Sequence, residues 1–134
     1  MGHLAGWEVR MNNQEETMQH SAPTTSFDAH DKAIEAAGIA IALVMRIPAP
    51  LKSIADQVIR SASSVPANLA EGAGRSGRDR LHHWRIAYGS AKEVDTHLQL
   101  LAQANAIDNT RAEAALRLFD DVRAMTWRLL HPNN

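Results

Sequence analysis

The sequence predicts an all-α protein, an antiparallel up-down-up-down four-helix bundle, on three observations. Apolar residues return at alternating gaps of three and four along extended segments, the period of a helix that faces other helices. Proline or glycine clusters separate those segments, and no alternating strand pattern or internal repeat competes with them. Alanine dominates the apolar residues while aromatics are few, two Phe, one Tyr and three Trp in 134 residues, which suits closely spaced helices better than a sheet.

Residues 1–25 mix Gly, Asn, Gln, Thr and Pro without periodicity and read as a flexible N-terminal arm ahead of a bundle domain at 26–132. Within the arm, Trp7 offers an anchor and Met11 an internal start. The first helix is expected to begin between Thr25 and Asp28, where Thr, Ser and Asp cap and Asp28 and Asp31 favour the first turn, and to end near Arg46. Ile34, Ala37, Ile41 and Val44 are its expected inward stripe. Ile39, Ala40, Ala42, Leu43 and Met45 cover most of the remaining circumference, so this helix needs burial on two sides. In so short a chain a second subunit is the simplest source of the second cover, which is an argument for a homo-oligomer.

Ile47-Pro48-Ala49-Pro50 ends the first helix, and Pro50 or the Ser53-x-x-Asp56 pair opens the second. The second helix runs from Ser53 to Arg75 on the stripe Leu51, Ala55, Val58, Ala62, Val65, Leu69 and Gly72. Its phase passes straight through Pro66. An interior proline costs roughly 3 kcal/mol and strips the carbonyl four residues back, here Ala62, of its donor. Unbroken phase favours one helix kinked at Pro66, with Ser61, Ser63 and Ser64 bonding back to earlier carbonyls, over two helices parted by a turn at Ser64.

Gly72, Gly74 and Gly77 are expected to terminate the second helix and make the turn, with Ser76-x-x-Asp79 capping the third. The third continues to about Asn105 on Trp84, Ala87, Ala91, Val94, Leu98, Leu101 and Asn105. Thr110-x-x-Glu113 then reads as a capping box for the fourth, whose stripe is Ala115, Leu118, Val122, Met125 and Leu129 and whose end is Pro132.

Fourteen Lys and Arg against fifteen Asp and Glu give a net charge of −1, so only a local patch could attract nucleic acid. The absence of cysteine excludes disulfides, thiolate metal sites and cysteine nucleophiles, and suits a cytoplasmic protein. The first 25 residues lack the apolar core of a secretory signal. Ala36–Met45, the most apolar run, has about half the length a bilayer demands.

The basic cluster is the sharpest functional feature. Arg60, Arg75, Arg78, Arg80, Arg85 and Lys92 stand against only Glu71 and Asp79 between residues 60 and 92. Guanidinium forks suit phosphate oxygens, and a ring of subunits would multiply the patch. The competing reading has most of these cations solvated or paired with Glu71, Glu93 and Asp95 within and between subunits. Other chemistry is poorly supported. Adjacent His82 and His83 point about 100° apart and cannot chelate one ion from one face. Asp79-x-x-His82 has no second copy, and Gly72-x-Gly74-x-x-Gly77 follows a helix rather than a strand. Trp84 and Tyr88 read as core or interface, and Ser90 lacks an identifiable histidine and aspartate. The reading is therefore non-enzymatic, with no cofactor and no metal, although Glu71 with Arg75 or Arg85 would be the pair to consider in an enzyme.

Residues 56–75, DQVIRSASSVPANLAEGAGR, and 86–100, IAYGSAKEVDTHLQL, resemble the four-helix-bundle family of 23S rRNA intervening-sequence proteins, also called S23-like. Arg60, Ala62, Pro66, Ala67, Asn68, Ala70, Glu71, Gly72 and Arg75, then Ala87, Gly89, Ser90, Glu93 and Leu98, carry the match. The resemblance spans about residues 27–130 and marks Pro66, Asn68, Glu71, Gly72 and Glu93 as structural positions. It implies a ring, typically a homopentamer, without an established enzymatic activity. A related branch, the accessory variability protein of diversity-generating retroelements, is a basic pentamer that associates with reverse transcriptase and nucleic acid. The expectation is thus a homo-oligomeric helical scaffold that offers a basic surface to RNA or to a nucleic-acid-processing protein, away from membranes. The alternative is a purely structural or protein-interaction module.

Overall fold

The computed structural model describes residues 24–132, which form four helices: α1 (Ser26–Val44), α2 (Lys52–Ala73), α3 (Gly77–Gln103) and α4 (Asn109–Leu130). The arm readings, Trp7 and Met11 among them, fall on residues 1–23 and lie outside the described residues. Each helix packs against its chain neighbour, and α1 also packs against α4, closing the circuit around one core. Cross-contacts fix the direction of α2 against α3. Arg60 meets Glu93, Ser64 meets Ser90, Asn68 meets His83 and Leu69 meets Trp84. From Arg60 to Leu69 of α2 the partner on α3 falls from Glu93 to Trp84, so the two helices run antiparallel.

Thr25 caps α1 reciprocally with Asp28: its Oγ1 accepts from the Asp28 amide and its own amide donates to Asp28 Oδ2, both at 3.1 Å. The expected inward stripe of α1 is out of phase. Ala29, Ala33, Ala36, Ala37, Ala40 and Val44 are buried, whereas Ile34 is 54% exposed and Ile41 only partly buried. From Ala36 to Val44, where every position but Gly38 is apolar, hydrophobicity cannot choose the face; residue size does, because alanines let α1 approach its neighbours closely.

α2 is a continuous helix through Pro66, and its stripe is buried as expected from Ala55 to Gly72. Ser61 Oγ donates to the Gln57 carbonyl at 2.7 Å and Ser63 Oγ to that of Arg60 at 3.0 Å, the back-bonding anticipated ahead of the proline. Gly72 proves not to be a terminator. It is buried inside α2, where a Cβ would come within 2.5 Å of Trp84 Cδ1 and 2.6 Å of its Nε1. The missing side chain lets the Trp84 indole lie against the backbone and donate to the Leu69 carbonyl at 3.3 Å. Gly77 opens α3 at φ +59, a conformation glycine reaches without a Cβ penalty.

Three expected caps do not form. The Asp56 carboxylate is held by Lys52 Nζ at 3.0 Å rather than by the Ser53 amide, and although Ser76 does stand at the N-cap of α3, the Asp79 carboxylate goes to Arg75 at 2.6 Å and the Ser76 side chain caps nothing. At α4 it is Asp108, not Thr110, that caps, accepting from the Arg111 amide at 2.8 Å. Asn105 is not a core residue. It sits exposed at φ 58 just past the end of α3, with Ala106 N–H bonding to the Leu101 carbonyl and Asn105 N–H to that of Ala102. This is a Schellman closure with asparagine in place of glycine. On α4 the stripe is rotated: Leu116, Phe119 and Thr126 are buried with Ala115 and Val122, while Leu118, Met125 and Leu129 are only partly so. Among the described residues, no helix is long and apolar enough to cross a membrane.

Candidate nucleic-acid interface

The six cations of the basic cluster fall into two groups of three. Arg60, Arg75 and Arg80 are engaged in holding α2 to α3. Arg60 donates to Gln57 Oε1 on its own helix and to Glu93 of α3. Arg75 clamps the turn, donating to Glu71 Oε1 at 2.7 Å and to Asp79 Oδ2 at 2.6 Å. Arg80 reaches back to the Gly72 and Ala73 carbonyls at 3.1 and 3.2 Å, caps the end of α2, and lies 5.4 Å from the Trp84 ring centroid. Arg60 and Arg75 therefore follow the paired reading, with Glu93 and with Glu71 and Asp79 as partners; Arg80 binds carbonyls instead, and Asp95 turns to Arg123.

Arg78, Arg85 and Lys92 form the second group. They stand seven residues apart, so they share one face of α3, stepping about 10.5 Å each time. All three are exposed, and among the described residues none makes an ion pair with a carboxylate. Lys92 Nζ lies 5.9 Å from the centroid of the Tyr88 ring on the same side of the helix. Charge reversal at Arg75 and Arg80 would disturb the turn, so Arg78, Arg85 and Lys92 are the positions at which binding and folding can be separated.

Glu71 and Asp79 are exposed, and both are held below their ordinary values of 4.5 and 3.8, chiefly by accepting hydrogen bonds from Arg75 and further by its charge. The Arg75 guanidinium gains proton affinity in return. Carboxylates lowered on folding stabilise the fold above their ordinary values and lose that contribution as pH falls through the lowered ones. Carboxyl NMR titration should accordingly place Glu71 below 4.5 and Asp79 below 3.8. Arg75→Gln should return both toward those values, and ordinary midpoints in the unaltered protein would disprove the clamp.

Asn68 ties a polar chain between α2 and α3. His83 Nδ1 lies 3.0 Å from Asn68 Oδ1, and since Asn68 Nδ2 donates to Ser64 O and Oγ, the imidazole is the donor. Ser90 Oγ donates to Ser64 Oγ at 3.0 Å and completes the chain. No serine in it touches the imidazole, so it is a structural tie. His82 and His83 stand edge to face, 5.4 Å apart.

One ionic site escaped the sequence reading. Arg123 Nη2 bridges Asp95 Oδ2 of α3 at 2.8 Å and Asp120 Oδ1 at 2.7 Å, with all three side chains buried. The signal available was charge on a helix face that the period assigns to the interior: Asp95 follows Val94, and Arg123 follows Val122.

The family described as 23S rRNA-intervening sequence protein matches residues 26–128. A solved structure of a protein of unknown function from the S23 ribosomal protein family, from Bacteroides thetaiotaomicron, is similar to this chain with a TM-score of 0.72 at 22% identity, covering 79% of this chain and 97% of that one. That likeness supports the fold, an all-α bundle. No curated protein matches the sequence. Four helices with the PANLAEG segment packed on the third, and a family match over more than three quarters of the chain, place this protein in the 23S rRNA-intervening sequence protein family.

Proposed function

We propose that this protein is a non-enzymatic, homo-oligomeric helical scaffold of the cytoplasm that binds RNA through phosphate contacts along α3. The observation that carries the reading is the line Arg78, Arg85 and Lys92, three exposed cations with no carboxylate partner among the described residues, on a chain whose net charge is −1. Cations in such a row attract a polyanion by releasing its counterions, and this kind of binding weakens steeply with salt.

Support for the assembly comes from α1. While Ala29, Ala33, Ala36, Ala37 and Ala40 face the core, Phe27 and Ile34 of α1 and Met45 at its C-cap are 71%, 54% and 61% exposed. They share one line with Gly38 and Ala42, which border a shallow groove against Arg111 and Ala114 of α4. A second copy is the partner that would cover this face in every subunit, and the number that the resemblance implies is five.

Binding of a labelled single-stranded RNA at two salt concentrations tests the RNA reading. Three phosphates neutralised per subunit give a slope of log affinity on log salt of about −2 or steeper. Changing Arg78, Arg85 and Lys92 together to Glu should abolish this binding and leave helicity and mass unchanged. A slope near zero would instead favour the module that only orders subunits or protein partners.

A further inference from the structure

We infer that Trp127 of α4 is a stacking platform for an unpaired base, so that the RNA held along α3 is single-stranded. The inference rests on the RNA reading above and adds the form of the substrate.

Trp127 is 42% exposed, although it is one of the largest apolar side chains in the protein. Its ring is stacked on that of His131, with centroids 4.2 Å apart and planes 26° from parallel. His131 Nδ1 lies 2.8 Å from the Trp127 carbonyl. Only a protonated nitrogen can bond there, so the imidazole is fixed as an Nδ1–H donor and braced against the indole. A tryptophan with 42% of its surface in solvent and its ring braced by a stacked imidazole offers aromatic surface on which an unstacked base can extend the stack, and stacking tolerates any base because each has a π face.

The position of Trp127 relative to the cations follows from the α3–α4 register. Residues 104–108 are too few to span the roughly 40 Å length of α3, so α4 must run back along it. Arg123 contacts Asp95. One turn further along α4 is Trp127, and one turn back along α3 is Ala91, flanked by Tyr88 and Lys92. The platform is therefore level with the upper half of the cation line. Asp95 is the carboxylate on that side of α3, and it is buried against Arg123 of α4; the positions around the cation line, Leu81, Tyr88, Thr96 and Gln99, are uncharged. A strand whose phosphates follow Arg85 and Lys92 would bring its bases toward Trp127, whereas a duplex keeps its bases paired and stacked on one another.

The test compares the full chain with Trp127→Ala and Trp127→Phe against three labelled probes: an oligoadenylate of about 20 nucleotides, an abasic strand of equal charge, and an RNA duplex. Trp127→Ala should weaken oligoadenylate binding by about 5- to 150-fold, with the salt slope unchanged, while Trp127→Phe retains most of the affinity. Binding to the abasic strand and to the duplex should not respond to either substitution. Equal affinity of Trp127→Ala and the parent protein for oligoadenylate, or an equal loss for all three probes with helicity intact, would overturn the inference and leave the phosphate reading standing. Failure of the parent protein to bind any probe at low salt would overturn both.

Discussion

Arg123→Ala should lower the unfolding free energy by about 3–5 kcal/mol, because it strands two carboxylates in the interior without the guanidinium that bridges them. Arg123 is 6% exposed and Asp95 and Asp120 are each 2% exposed, so water cannot take its place without opening the α3–α4 contact. For a domain of this size the loss corresponds to a fall in melting temperature well above 10 °C, at roughly 4–8 °C per kcal/mol for the smallest domains and less for larger ones. Urea denaturation at a fixed protein concentration measures it, since assembly would make stability concentration-dependent. Replacing the whole group, with Asp95→Leu, Asp120→Leu and Arg123→Met together, should recover most of the loss, because an apolar cluster of similar volume carries no desolvation cost. A change below about 1 kcal/mol for Arg123→Ala would show that the bridge does not join the two helices.

The parts of the fold that were legible in the sequence are those where one face is apolar and the other is not. In α2 and α3 the stripes Val58, Ala62, Val65, Leu69 and Trp84, Ala87, Ala91, Val94, Leu98 stand out against Asp, Arg, Gln and Ser, and all of them are buried. Pro66 did not interfere with that reading, since the phase on either side of it is common. In α1 the polar face is confined to the first half, at Asp28, Asp31, Lys32 and Glu35; from Ala36 to Val44 no polar residue sets the phase, and there the decision passes to packing distance, which hydropathy does not encode. The expected caps differ for two reasons: the second and fourth helices begin earlier, at Lys52 and Asn109, which puts Ser53 and Thr110 inside them, and the carboxylates have nearer cations, Lys52 for Asp56 and Arg75 for Asp79. The buried ionic bridge was hidden because charged residues next to a stripe read as solvated by default, and only the facing helix shows that Asp95 and Arg123 point inward together.

The basic cluster was visible, yet its division was not. Arg60, Arg75 and Arg80 bind groups brought near by the turn, including carbonyls, which no charge count anticipates. Arg78, Arg85 and Lys92 are left over because the carboxylates near them on α3, Asp79, Glu93 and Asp95, are bound by Arg75, Arg60 and Arg123. The stacked Trp127–His131 pair was equally out of reach, since two scattered aromatics at a helix end carry no periodic signal.

The second large effect is expected at α1. Phe27→Ser with Ile34→Asp should convert the assembly to monomers while leaving helicity and subunit stability nearly unchanged. Within one subunit both side chains are exposed, and substitutions at such positions shift stability by no more than about 0.5 kcal/mol. In an assembly each would lose burial worth about 1.5–3 kcal/mol, and the carboxylate introduced in place of Ile34 would put a charge in the contact. A nearby control, Gly38→Ala, should be silent in the subunit, where a Cβ meets nothing within 4 Å.

Native mass spectrometry of the unaltered chain measures the consequence directly. Cover of the outer face of α1 by a second copy predicts a mass that is a whole multiple of 14.7 kDa, five-fold for a pentamer, falling to the single value in the Phe27→Ser, Ile34→Asp variant. A species of 14.7 kDa for the unaltered chain at micromolar concentration, with Ile34 still open to solvent, would contradict it.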